Sequence, residues 1–139
     1  MRKIDLAYLA GFFDGEGCIT LAPTQVNKKW QRTFILRVQL VSTNEWAIQA
    51  IKFSCGGVVA VDRQKGNHKL AYRWVISSNN ALVFLKQILP YLKIKRPLAE
   101  LAIKFQEHKT LGGRKTEEYI DFEEDYKKTF FQLNKRGKI

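Results

Sequence analysis

The stretch Leu9–Gly17, which reads LAGFFDGEG, decides how the chain is interpreted. It begins with a helical pattern and closes with a carboxylate between two glycines. Ala7, Gly11 and Gly15 recur at every fourth residue, so they share one face of the predicted helix. Because this small-residue face carries almost no side chains, a second helix can approach it backbone to backbone. We therefore predict a helix–helix interface through these three residues.

Glu16 follows directly after the small-residue face (Ala7, Gly11 and Gly15). If a second copy of the helix packs there, two Glu16 carboxylates come close together. Carboxylates held side by side repel each other, so they retain a proton or bind a cation. The pattern favours a metal-dependent active site at a subunit interface.

The same stretch resembles the signature of the LAGLIDADG homing endonucleases. Its first three residues match the start of that motif, Phe12 and Phe13 replace the two apolar residues, and residues 14–17 match the end. The family carries Asp or Glu at the next-to-last position, which Glu16 occupies. The motif occurs once in this chain, and in the family a single copy implies a homodimer.

Composition favours a nucleic-acid partner. The 139 residues are 45% hydrophobic, which suits one domain with its own core. The formal net charge of +11 suits a polyanion, although a merely solvated basic surface is the alternative. No apolar run reaches the ~18 residues of a membrane helix, so we expect no membrane partner. Cys18 and Cys55 are too few for a zinc site, and they fit an intracellular, non-secreted protein.

Hydrophobic periodicity predicts the order α-β-β-α-β-β-α, followed by C-terminal helices. Helix 2 is expected to open at a capping box that begins with Ser42, and to turn Trp46, Ala47, Ala50 and Ile51 inward. The expected fold class is α+β, an antiparallel four-stranded saddle-shaped sheet with helices on one face. The resemblance implies the αββαββα homing-endonuclease fold. We expect a single domain over residues 1–139, with the family core in 1–107 and a helical extension in 108–139.

The predicted catalytic centre is built around Glu16. Hard divalent cations prefer oxygen ligands, so Glu16 is predicted to bind Mg²⁺ or another divalent cation. The resemblance implies the Gly15 carbonyl as a second metal contact, Lys95 as a basic residue near the metal, and Ser42 where the family often has a water-positioning Gln. Capping a helix is the alternative role for Ser42. Asp14 is expected to have a supporting role at the site; the alternatives are that it binds metal, lines the dimer interface, or caps or solvates the last turn of its helix.

The open face of the sheet is predicted to contact double-stranded DNA. Arg and Gln side chains can read base edges in the major groove, whereas loop residues contact phosphates. The candidates on strands are Thr20, Thr33, Arg37, Gln39 and Arg73. The candidates in loops are Asn27, Lys28, Lys29, Arg32, Arg63, Lys65 and Lys69.

The sequence thus predicts a homodimeric, site-specific DNA endonuclease that makes metal-dependent double-strand breaks in a long, near-palindromic target. One alternative keeps the fold but lacks cleavage, as in an RNA-splicing maturase or a DNA-binding regulator. A second alternative is a basic protein that binds nucleic acid without sequence preference.

Overall fold

The computed structural model describes residues 3–23, 33–62, 70–109 and 117–136. The elements are α1 (Lys3–Glu16), β1 (Gly17–Pro23), β2 (Phe34–Ser42), α2 (Glu45–Cys55), β3 (Val58–Asp62), β4 (Ala71–Ser77), α3 (Ser78–Ile88), a 3-10 helix (Leu89–Tyr91), α4 (Arg96–His108) and α5 (Glu117–Arg136). This order confirms the predicted α-β-β-α-β-β-α arrangement with further helices at the C-terminus. Within the described residues, none of the helices combines the length and apolar character that crossing a membrane requires.

The four strands form one antiparallel sheet with the order β1-β2-β4-β3. Alternate residues of β2, from Phe34 to Leu40, are buried beneath the helices, and Arg37 between them is exposed. Successive side chains of a strand point to opposite faces, so the second face of β2 forms part of an outer face without helices. The antiparallel sheet and its two-faced character are confirmed.

An aromatic cluster fixes α1 onto the sheet. The Phe84 ring packs edge-on against Phe13 of α1 and Trp74 of β4, with centroid distances of 5.6 and 5.0 Å. Such pairs each contribute about 0.5–1.5 kcal/mol beyond the area they bury. A Cβ atom at Gly17 would clash with the Phe13 ring, so the last glycine of the motif lets the chain turn from α1 into β1.

The start of α2 differs from the prediction. Asn44, and not Ser42, is the N-cap, because its Oδ1 accepts a hydrogen bond from the Ala47 amide at 3.1 Å. Ser42 ends β2, and its Oγ accepts a hydrogen bond from the Asn44 amide at 3.1 Å. The prediction that the capping box begins at Ser42 was therefore wrong by two residues, since β2 continues to Ser42.

The buried face of α2 also differs. Ile48 and Ile51 are buried against the sheet, whereas Trp46 is 80% exposed and Ala50 is exposed. The prediction that Trp46 and Ala50 face inward was wrong. Apolar residues surround most of this helix, so their spacing alone does not select the face that packs on the sheet.

Helix α5 covers the edge of the sheet at β1. Lys127 Nζ donates to the Leu21 carbonyl at 2.7 Å, and Asn134 Nδ2 donates to the Ile19 carbonyl at 3.4 Å. Edge strands expose unpaired backbone groups, and these two contacts satisfy two of them. Phe130 of α5 is buried in the same core as the sheet. Helix α5, which lies in the predicted C-terminal extension, therefore packs against the sheet.

A buried ion pair attaches α5 to the start of β2. The Glu123 carboxylate is fully buried, accepts a hydrogen bond from the Phe34 amide at 2.7 Å, and lies 3.5 Å from Lys109 Nζ. Lys109 also donates to the Phe34 carbonyl. Buried charges require such partners, so this contact is structural.

Candidate active site and DNA-facing surface

The small-residue face of α1 is open. Ala7, Gly11 and Gly15 are all exposed, and a Cβ atom at either glycine would meet no heavy atom within 4 Å. Neither glycine adopts a positive φ angle. Unlike Gly17, these two glycines are therefore required neither by packing within the described chain nor by backbone conformation.

Glu16 is the last residue of α1 and is exposed. The last carbonyls of a helix lack intrahelical donors, so the Gly15 carbonyl is free of a helical hydrogen bond. Together with the Glu16 carboxylate of the next residue, it offers oxygen atoms to a divalent cation. In the part of the chain that the structure describes, no three His, Cys, Asp or Glu side chains form a metal-binding group. Mg²⁺ is commonly held by one or two carboxylates together with substrate phosphates. Glu16 and Gly15 fit a site of this kind.

Asp14 connects the end of α1 to the segment before α4. Its Oδ2 accepts a hydrogen bond from the Lys93 amide at 2.8 Å, and its Oδ1 accepts one from the Lys95 amide at 2.9 Å. Lys95 Nζ donates to the Asp14 carbonyl at 2.8 Å. We call these three contacts the Asp14–Lys95 network. It brings the predicted basic residue Lys95 to the last turn of α1, two residues from Glu16.

An apolar groove lies beside the small-residue face. This α1–α2 groove, of about 300 Å³, is lined by Tyr8, Phe12 and Trp46 among others. Tyr8 and Phe12 also line a concavity with Ala7 and Gly11, so the groove is continuous with the small-residue face. Tyr8 and Trp46 are 77% and 80% exposed. The sequence did not reveal this surface, because the apolar pattern of α2 predicted that Trp46 faces inward.

The outer face of the sheet carries three of the predicted DNA contacts side by side. Thr20 of β1 lies opposite Arg37 of β2, and Gln39 lies two residues further along β2. Arg37 is exposed, whereas Thr20 and Gln39 are half-buried. A polar, positively charged sheet face of this kind has the donors and acceptors that base edges can pair with.

The sequence model of the LAGLIDADG endonuclease family matches residues 9–111. The chain belongs to the LAGLIDADG endonuclease family. No curated protein sequence matches it significantly.

Solved structures of LAGLIDADG homing endonucleases share the fold. The homing endonuclease I-CvuI, in complex with its target in the presence of 2 mM Ca, has a TM-score of 0.75 and 21% identity, over 94% of this chain and 82% of that chain. The archaeal intron-encoded I-Vdi141I, complexed with DNA, has a TM-score of 0.62 and 12% identity, over 95% and 99% of the two chains. I-TnaI has a TM-score of 0.59 and 20% identity, over 95% and 94%. These similarities confirm the predicted fold.

Ser42 lies at the same end of this LAGLIDADG sheet as Glu16. Leu40 pairs with Gly17, the residue after Glu16, and Ser42 is two residues beyond Leu40 on β2. Its hydroxyl already accepts the hydrogen bond from the Asn44 amide. The water-positioning role that the family resemblance implies for Ser42 stays a prediction.

Arg73 is less available for DNA than the sequence suggested. Its Nη2 forms a 2.5 Å ion pair with Asp62, and its Nη1 donates to Gln39 Oε1 at 3.4 Å. Gln39 lies on β2 and Asp62 on β3, the two strands on either side of β4. Arg73 therefore connects β2, β3 and β4 across the outer face. A DNA contact through Arg73 requires rearrangement of these interactions.

Thr33 is nearly buried and therefore less available for DNA than the sequence suggested, and its DNA contact stays a prediction. Its exposed fraction is only 7%, and it precedes β2. The backbone amide of the next residue, Phe34, donates a hydrogen bond to Glu123 of α5, so α5 covers this end of β2. The alternation of polar and apolar residues along a strand does not reveal burial by a segment that is distant in sequence. The loop candidates for phosphate contacts lie outside the described residues: Asn27, Lys28, Lys29, Arg32, Arg63, Lys65 and Lys69.

Proposed function

We propose that the protein is a homodimeric, site-specific homing endonuclease that makes metal-dependent double-strand breaks in a long, near-palindromic DNA target. The observation that carries this proposal is Glu16, exposed at the end of a helix whose small-residue face is open, with Lys95 bonded to the same helical turn. DNA as the substrate also implies that the protein acts inside the cell.

The two glycines of α1 support the homodimer. A glycine inside a helix costs about 1 kcal/mol relative to alanine, and nothing in the described chain offsets that cost at Gly11 or Gly15. A second copy of α1 packed on the small-residue face would use both positions. Two-fold packing would also bring the two Glu16 carboxylates together, and it explains why one motif per chain suffices.

The α1–α2 groove supplies the rest of the proposed interface. The 14 residues of α1 span only ~21 Å, whereas a stable interface buries ~800 Å² on each partner. The exposed ring of Tyr8 borders the small-residue face, the exposed ring of Trp46 lines the groove that continues from it, and both add apolar area. We therefore assign both surfaces to contacts with the second copy.

We expect Trp46→Ser to weaken the dimer by roughly 1,000-fold, since a buried interface Trp contributes about 2 kcal/mol and a two-fold dimer loses one Trp from each chain. Sedimentation equilibrium over a concentration series measures this dissociation constant. The thermal stability of the diluted chain should change little, because Trp46 is largely exposed in one chain. Phe131→Ser on α5 is the matched control, since Phe131 is also exposed. Equal dissociation constants for Trp46→Ser and wild type would remove Trp46 from the interface.

The Glu16 carboxylate and the Gly15 carbonyl would hold the divalent cation, Mg²⁺ in our proposal. When bound, that cation supplies an activated water and neutralises the leaving 3′ oxygen. The Lys95 ammonium stabilises the negative charge that develops on the phosphate. Divalent cations accompany the related I-CvuI, which was solved with its target in 2 mM Ca and with the I-CreI target in 2 mM Mg, where the DNA was not cleaved.

The outer face of each sheet is proposed to read one half-site in the major groove. The net charge of +11 favours association with the phosphate backbone at low salt. I-Vdi141I and I-SmaMI share this fold and were solved bound to DNA, which supports DNA as the partner of this protein.

We expect Arg37→Ala to relax base choice at one position of each half-site, because an exposed Arg can pair bidentately with guanine. The loss should be about 1–3 kcal/mol for the preferred base and far smaller for the other three bases. Binding measured against a panel of single-base variants tests this. A uniform loss across the panel would identify Arg37 as a phosphate contact instead.

The decisive experiment is a selection for cleaved molecules from a random double-stranded DNA library in Mg²⁺. We expect enrichment of one near-palindromic sequence, cut once on each strand with short 3′ overhangs. Tight, salt-resistant binding to one sequence without cleavage would favour the maturase or regulator alternative. Equal binding to all sequences would favour a non-specific basic protein.

A further inference from the structure

We infer that Asp14 is a positioning residue for Lys95, and that DNA cleavage depends on Asp14 through the Lys95 ammonium. This inference rests on the proposed nuclease function and deepens it. It assigns Asp14 neither to the metal nor to the dimer contact.

Both oxygens of the Asp14 carboxylate are directed at backbone amides. Oδ1 accepts from Lys95 at 2.9 Å, Oδ2 accepts from Lys93 at 2.8 Å, and the side chain is 8% exposed. A carboxylate that accepts hydrogen bonds from two backbone amides is held in one orientation. This geometry fits an anchor for the segment before α4 better than a ligand for an ion in solution.

The side chain of Lys95 is held by the same residue. Lys95 Nζ donates to the Asp14 carbonyl, one of the last carbonyls of α1, at 2.8 Å. Those carbonyls lack intrahelical donors and lie at the negative end of the helix dipole, which favours a cation. Lysine side chains are otherwise flexible. Asp14 therefore fixes both the backbone and the ammonium of Lys95, beside Gly15 and Glu16.

Lys93 gives the contrast within the same segment. It contributes only its amide to Asp14, and its side chain is exposed, as is that of Ile94. Lys95 is half-buried with its ammonium on α1. The Asp14–Lys95 network thus includes the side chain of Lys95, the lysine that the sequence analysis named, and only the backbone of Lys93.

A double-mutant cycle separates positioning from general structural support. The variants are Asp14→Asn, Lys95→Met and the double variant, assayed for single-turnover cleavage at saturating protein in Mg²⁺. We expect Lys95→Met to slow cleavage by about 100-fold and Asp14→Asn by about 30-fold. The double variant should be no slower than Lys95→Met alone. DNA affinity measured in Ca²⁺ and the dimer dissociation constant should stay within about 3-fold of wild type for all three variants.

Glu123→Gln is the matched control. Glu123 is also a buried carboxylate that accepts a hydrogen bond from a backbone amide, but it lies on α5. Its loss should lower the unfolding temperature, and its effect on cleavage should be the same with and without Lys95→Met. Effects of Asp14→Asn and Lys95→Met that multiply in the double variant would overturn the inference. A wild-type protein that cleaves no DNA would refute the proposed function instead.

Acetylation of lysines tests, without a cleavage assay, whether the Asp14 carboxylate keeps the Lys95 ammonium on the Asp14 carbonyl. The folded dimer is treated briefly with an amine-acylating reagent, and modification at each lysine is measured by peptide mass spectrometry. In Asp14→Asn we expect Lys95 to react several-fold faster than in wild type, with Lys93 unchanged. If Asp14→Asn does not fold, Asp14→Ser, which keeps one acceptor oxygen, replaces it in both assays. Equal Lys95 modification in wild type and variant would show that the Asp14 carboxylate is not needed to keep the Lys95 ammonium on the Asp14 carbonyl, and would overturn the inference.

Discussion

Glu16→Gln should abolish DNA cleavage and leave DNA binding and dimer formation intact. The substitution keeps the shape of the side chain and removes the charge that attracts a divalent cation. Metal stabilisation of a reacting phosphate is worth several kcal/mol, so we expect a loss of about 1,000-fold or more in the cleavage rate. Single-turnover cleavage of the selected target in Mg²⁺ measures this rate, and gel-shift binding to the same DNA measures affinity.

The exposure of Glu16 makes this experiment clean. The side chain is exposed at the end of α1, so Gln should not perturb the core. Glu118→Gln is the matched control, because Glu118 is also exposed but lies on α5. That control should cleave at the wild-type rate. Cleavage near the wild-type rate by Glu16→Gln would defeat the metal assignment.

Gly11→Leu is expected to convert the dimer into a monomer that is folded but inactive. A Cβ atom at position 11 meets nothing within 4 Å, so the larger side chain fits one chain without strain. Leucine is also a better helix former than glycine by about 0.8 kcal/mol, so the monomer should be at least as stable. Across the proposed interface, the same side chain would hold the two α1 helices apart and separate the two Glu16 carboxylates.

Sedimentation velocity together with thermal unfolding checks this prediction. Gln132→Leu provides the control, since Gln132 is an exposed helical position on α5. It should remain dimeric. An unchanged dimer in Gly11→Leu would show that α1 is not the contact surface, and the pairing of the Glu16 carboxylates would then lose its basis.

The features that the sequence revealed are those encoded within a few residues. The motif Leu9–Gly17 contains the second half of α1, two of the three residues of its small-residue face and the terminal acid Glu16. The alternation along β2 likewise identified its buried face, because strand periodicity is local.

The features that the sequence did not reveal depend on distant partners. Asp14 and Lys95 are 81 residues apart, and no spacing rule connects a helical carboxylate to amides so far along the chain. Thr33 is covered near the attachment of Glu123, 89 residues beyond Phe34. Trp46 was assigned to the core because α2 is apolar on more than one side, and only packing decides which side meets the sheet.

If the outer face of the sheet reads DNA as proposed, the strict alternation of β2 has a consequence for how DNA specificity changes. Leu36 and Val38 are fully buried, whereas Arg37 between them is exposed on the outer face. Substitutions at exposed positions usually change stability by about 0.5 kcal/mol or less. New specificities can therefore arise by exchanging outward residues one at a time, with little penalty in folding. Arg73 and Gln39 are the exception, because their mutual hydrogen bond ties any change at one to the other.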